Sequence, residues 1–206
     1  EHFGLLVGQH AGIESLGVVG LLMQQAPDVG TALRDLVLHL QVHDRGAIPT
    51  LVAEDGMVEL GYSVYRKGAK NTAQIYDLAM AMALNLMKSL CGADWRPSQV
   101  LFRHAEPTNR GPYRRLFKVP LRFDCDHSAL VFPVACLGHP VEGANPVLRR
   151  ILEAEIEALM ERIDMDFVAH FRRVLSGLVI TSHATSEQAA LLFGIHRRTL
   201  HRRLKA

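Results

Sequence analysis

Cysteine is scarce in this chain of 206 residues. There are three, an odd number, and no two form a CxxC pair. That excludes a secreted disulfide framework and suits a reducing cytosol. Long hydrophobic runs are missing as well. Apolar stretches last a few residues before a Gly, Gln or charge interrupts, short of the ~18 that a membrane-spanning helix needs. No basic-then-apolar signal pattern opens the chain. Enzyme signatures are absent too: there is no P-loop, no GxGxxG and no GxSxG, and Gly61-Tyr62-Ser63 lacks a closing Gly. Net charge is only +2, which by itself argues against a nucleic-acid partner.

What is present is ordinary globular composition, 49% hydrophobic and 21% charged. Disordered, collagen-like and coiled-coil chains are thereby excluded. The length suits one large domain or two small ones. The charge is unevenly placed. From His183 to Ala206 five basic residues face one acid, Glu187, giving the last 24 residues +4 and leaving −2 for the preceding 182. Such asymmetry points to a nucleic-acid or membrane contact at one end.

Along the chain the hydrophobic period changes repeatedly. Ile13–Gln25 is apolar nearly all round, with Gly17 and Gly20 inside, as expected of a buried element that another backbone approaches. Leu33, Leu36, Val37 and Leu40 predict an amphipathic helix over Thr31–His43. Alternation around Asp55-Gly56 predicts a hairpin of strands near 48–54 and 57–66. A helix capped by Asn71, with Gln74 reaching back, is expected to run to Leu90 and end at Gly92. Short strands are expected at 98–104, 121–125 and 129–137. The last two should form a second hairpin through Asp126-His127-Ser128, with Pro133 at an edge or bulge. From Asn145 onward only helices are expected, with Pro146 in a first turn. The pattern predicts an α+β fold: an antiparallel sheet with packed helices over 1–144, then a helical linker and dimerisation region over 145–181.

The last segment, 182–206, carries the strongest signal. Thr185 with Gln188 has the capping-box spacing. Ala189, Ala190, Leu192 and Phe193 give a short helix a small-residue apolar face. Gly194 permits a turn and Ile195 fills its corner. A second helix follows with Leu200 and Leu204 inward and Arg198, His201, Arg202 and Lys205 on the opposite face. This layout is a helix-turn-helix whose second helix suits a major groove. Arg198, His201 and Arg202 are the expected base contacts. Arg197, Arg203 and Lys205 are the expected phosphate contacts.

The run from Ala189-Ala190 through Phe193-Gly194-Ile195-His196-Arg197-Arg198-Thr199-Leu200 to Leu204 resembles the first helix-turn-helix of AraC-type transcriptional regulators. His196 stands where a Ser usually caps the second helix. Phe3–Gly8, Leu16–Met23 and Tyr113–Phe123 resemble the amino-terminal, arabinose-binding-like sensing domain of one branch of that family. A Gly commonly follows the Phe matched by Phe117; here it is Lys118, so a different loop is open there. The resemblance implies a cytoplasmic, effector-responsive regulator that binds promoter DNA, works as a homodimer and is neither an enzyme nor membrane-bound. It implies no cofactor. Both ends look cut, and a second helix-turn-helix is expected to be missing, so weak DNA binding is expected of this stretch alone.

Other constellations are weaker. Arg103, His104 and Tyr113, with Tyr62, are the expected effector contacts in a mostly apolar pocket. A hydrogen-bonded loop and core aromatics are the alternative reading. His39 and His43 have a chelating i, i+4 spacing, but only Cys125 and His127 offer a third ligand, so no metal site is expected. Arg66, Lys67 and Lys70 read as a solvated basic turn. The rival for the whole chain is an α+β small-molecule-binding or enzymatic module with an incidental basic tail.

Overall fold

A computed structural model describes residues 2–64, 72–163, 167–180 and 184–205. Asn71, Tyr65 and the basic turn of Arg66, Lys67 and Lys70 lie outside the described residues, as do the ends of the second strand and of the linker region. Helix α1 spans Phe3–Gly8, α2 Val18–Gln24 and α3 Val29–His39. Strands β1 (Ala47–Glu54) and β2 (Met57–Val64) follow, then α4 (Ala73–Cys91), β3 (Gln99–Leu101), α5 (Gly111–Phe117), β4 (Leu121–Arg122) and β5 (Ser128–Pro133). Four helices end the chain: α6 (Pro146–Arg162), α7 (Phe167–Ile180), α8 (Ser186–Leu192) and α9 (Arg197–Arg203). The fold is α+β, with a five-stranded sheet in the order β1-β2-β5-β3-β4.

The first hairpin forms as its sequence predicts. Asp55 and Gly56 both take positive φ, 49° and 76°, which a tight turn matched to strand twist requires. Leu51 pairs with Leu60 across it. The second hairpin does not form. β5 pairs antiparallel with β2 and β3, while β4 pairs parallel with β3. The physical reason is α5, a helix standing between the strands expected at 98–104 and 121–125. Gly111-Pro112 opens a helix there, and that crossover brings β4 back alongside β3 in the same direction. β5 ends at Pro133, and Val134–Gly138 turns into 3₁₀ helix. Pro has no N–H to continue the ladder.

Close approach explains two glycines. A Cβ on Gly20 would overlap the Ile13 carbonyl, and one on Gly4 would overlap that of Gln74. The element expected over Ile13–Gln25 is split by Gly17 at φ 58° into a 3₁₀ turn and α2. Gln74 Oε1 accepts from Gly4 N at 2.8 Å, tying α1 to α4, while the expected cap at Asn71 lies outside the described residues. Lys118 takes φ 57° as the cap after α5. The loop thus keeps the left-handed turn that Gly makes freely, at a cost of about 1 kcal/mol for a side chain.

β1 is buried at six successive positions, Ala47–Val52, so both its faces are covered. α3 packs against it, and so does α7. α6 is capped by Asn145, whose Oδ1 accepts from Val147 N and Leu148 N. It is held to α3 by Arg149, which donates to both oxygens of Asp35 at 2.8 and 3.2 Å.

Candidate functional site

The carboxy-terminal pair of helices is built by local rules. Thr185 Oγ1 accepts from Gln188 N at 3.1 Å and starts α8. Its end is a Schellman turn: Ile195 N donates to Ala190 O and Gly194 N to Leu191 O, with Gly194 at φ 60°. His196 caps α9, its Nδ1 accepting from Arg198 N at 3.2 Å. The imidazole therefore does the work of the Ser it replaces. Ala189, Ala190, Leu192 and Leu200 are buried and join the core of the rest of the molecule.

That burial fixes what α9 shows to solvent. Arg198, His201, Arg202 and Lys205 are all exposed. Arg197 and Arg203 are exposed but engaged. Arg197 is ion-paired with Glu187, and the Arg203 guanidinium lies 5.4 Å over the Phe167 ring. An exposed row of cations on a helix whose other face is anchored can meet phosphates and base edges without rebuilding the fold.

α7 joins this unit to the sheet. Phe193 meets Phe167 and Phe171 with ring centroids 5.4 and 5.9 Å apart. On the other side Gly177 brings α7 close to Ile48 and Thr50 of β1. Arg173 of α7 donates to the carbonyls of Asp44, Arg45 and Ala47. One face of residues 44–50 thus holds α7. The other lines a cavity.

That cavity, of about 180 Å³, lies between α3, α4 and the β1–β2 hairpin. Leu36, Leu40, Leu60 and Met82 make it apolar, and His43, Asp44 and Tyr62 supply polar groups. Burial, with Asp44 and Tyr76 nearby, pushes the Tyr62 phenol up to about 12. Tyr62 therefore stays a neutral hydroxyl that can donate to a ligand.

The other expected effector residues lie elsewhere. Arg103 is exposed, and its backbone N–H donates to Ser128 Oγ. His104 and Tyr113 instead converge on Asp77, which is fully buried. Tyr113 OH donates to Asp77 Oδ2 at 2.9 Å, Gln74 donates to the same oxygen at 3.2 Å, and His104 Nε2 meets Oδ1 at 3.0 Å. Burial disfavours charge on His104, but the bonds to Asp77 and the Ala105 carbonyl outweigh it and raise its pKa. This is a satisfied polar knot inside aromatic packing, with Phe102 stacked on Phe123 at 5.1 Å. Asp77 gave no signal in the sequence, because α4 is buried on more than the one stripe that periodicity revealed. Among the described residues no group of three His, Cys, Asp or Glu is placed to hold a metal ion. His39 lies near His170, His43 lines the cavity, and His127 bonds Glu59 at 2.6 Å.

Residues 1–141 match the amino-terminal, arabinose-binding domain of AraC transcription regulators. The chain belongs to that family. Among AraC-family relatives, the HTH-type transcriptional regulator VirS of Mycobacterium tuberculosis is 27% identical over 206 residues, covering 99% of this chain and 61% of VirS. The ornithine utilization regulator of Pseudomonas aeruginosa is 25% identical over 175 residues, 84% of this chain and 51% of that protein. The chain thus spans between half and two thirds of the length of these relatives. Its fold is similar to that of the transcriptional regulator CdpR from Pseudomonas aeruginosa, with a TM-score of 0.63 at 17% identity over 98% of this chain and 66% of that one. In this AraC-family chain the matched domain ends before α6, so the α6–α9 helices lie beyond it. No described helix is long and apolar enough to cross a membrane.

Proposed function

We propose that this chain senses a small molecule through residues 1–144 and passes the signal through 145–181 to a DNA-binding helix-turn-helix in 182–206. The observation that carries the reading is the anchored α9, with Arg198, His201, Arg202 and Lys205 facing solvent. In a major groove the first three would reach base edges. Lys205 would pair phosphate, as would Arg197 and Arg203 once released from Glu187 and Phe167. In the full-length protein, Arg198→Ala with Arg202→Ala should weaken operator binding at least about tenfold while leaving the fold intact. Unchanged affinity in a salt-matched gel shift would sink the assignment.

The Tyr62 cavity is the effector site in this reading, and His104, Tyr113 and Arg103 support the domain around it. An apolar cavity near 150 Å³ accepts a benzene-sized molecule, so the effector group that enters is small and apolar, with an atom that bonds Tyr62. Filling the cavity shifts residues 44–50, and Arg173 carries that shift into α7. The ligand then favours one placement of α8 and α9 over another.

A second copy of the chain is the partner of α6. Val147, Ile151 and Ala154 form an exposed seam at four- and three-residue spacing, the spacing of a helix-pairing face. Arg150 and Glu155 flank it and line the same shallow groove, so an antiparallel copy meets opposite charges. Ile151, 62% exposed, can change without loss of fold. Ile151→Glu should convert a dimer to a monomer in sedimentation; a dimer that persists would place the interface elsewhere.

A further inference from the structure

A second concavity, of about 600 Å³, opens between α1, α4 and α5. Its lining carries four cations, Lys88, Arg96, Arg115 and Lys118, and no Asp or Glu. This is not the charge of a basic surface in general, since the first 182 residues together carry −2. Like charges gathered without an acid repel one another. Lys88 records this: burial lowers its pKa, and Arg96 and Lys118 lower it further. Arg96 is also held in place. Its Nη1 donates to the carbonyls of Ala93 at 3.1 Å and Trp95 at 2.7 Å. Leu5, Leu6, Pro112 and Leu116 add apolar surface to the same cleft.

We propose that this cleft binds a small, soluble organic anion carrying at least two negative charges, its charged end among Lys88, Arg96, Arg115 and Lys118 and its apolar part against Leu6 and Leu116. A dianion relieves the mutual repulsion of the four cations and gains charge-assisted hydrogen bonds. The concave shape favours a compact molecule over a flat macromolecular partner. α5 lines the cleft with Arg115 and Leu116 and carries Tyr113 on its buried side, bonded to Asp77. The site is separate from the Tyr62 cavity and does not depend on what that cavity holds.

The test is calorimetric titration of the full-length protein at constant ionic strength with phenyl phosphate and with inorganic phosphate. Phenyl phosphate should bind several-fold more tightly, because only it uses the apolar wall. Arg115→Ala and Lys118→Gly should each weaken phenyl phosphate at least fivefold; Gly also keeps the left-handed turn at 118. Both side chains are exposed, so melting temperature should hold, and operator affinity without the anion should be unchanged. Absence of binding at millimolar phenyl phosphate would overturn the proposal, as would variants that bind like the parent. An equal loss of operator affinity would make these cations DNA contacts instead. Binding only to anionic phospholipid vesicles would make the site a lipid surface.

Discussion

Arg149→Met is expected to cost about 3–5 kcal/mol of folding stability, measured by urea unfolding at pH 7. Arg149 sits on α6 and grips Asp35 of α3 with both terminal nitrogens, while its Nε meets Glu153 at 2.9 Å. Asp35 is 7% exposed. Burial raises its pKa even with Arg149 present, the ion pair only partly opposing it. Without the guanidinium, the carboxylate would be buried and uncompensated. The loss should therefore shrink as the pH falls toward the carboxylate range, because Asp35 then takes a proton and the buried charge disappears. Asp35→Leu combined with Arg149→Met should recover much of the stability, since an apolar pair of similar volume suits a buried site. A single variant that loses less than about 1 kcal/mol would show that the pair is screened like a surface bridge.

Acid should weaken the joint between the α+β core and α7. His39, at the end of α3, is pushed down to about 4 by burial first, then by His170 and Arg149. His170, on α7, is also lowered, by burial above all, with Arg173 adding to it and the Leu38 carbonyl opposing it. Nδ1 of His39 and Nε2 of His170 have no hydrogen-bond partner. The unfolded chain binds protons near 6.5 and the folded chain binds them lower. Stability is thus complete above 6.5 and falls as pH drops toward 4, by about 2–3 kcal/mol for His39. His104 acts in the opposite direction: its raised pKa stabilises the fold below 6.5, a contribution lost as pH rises. The comparison of parent with His39→Gln separates the two. The variant should lose much less melting temperature between pH 7 and pH 5. Parallel pH profiles would remove His39 as the source.

Much of the fold was legible where local chemistry decides it. Asp55-Gly56 set the first turn, Asn145-Pro146 the start of α6, and Thr185, Gly194 and Leu200 the two terminal helices. Each depends on neighbours within a few residues. The parallel β3–β4 pair was not legible, because strand partners are chosen by the crossover that α5 makes. α5 itself begins at Gly-Pro, which reads as a turn until a helix follows it. The same contrast holds for the candidate site residues. The exposed cations of α9 followed from spacing alone. The expected effector group divided, Tyr62 to a cavity and His104 with Tyr113 to Asp77, because sequence proximity does not show which wall of a domain a side chain joins. Arg173 was invisible for the opposite reason: its partners are backbone carbonyls more than 120 residues away.

The apolar contacts of Ala189, Ala190, Leu192 and Leu200 belong to one continuous cluster with those of the sheet and α3. A motif attached in this way is not a bead on a flexible string. Heating should release α8 and α9 together with the domain they rest on. A change in the sheet or in α3 would then reach α9 through packed surfaces, since α8 rests on both α7 and α3.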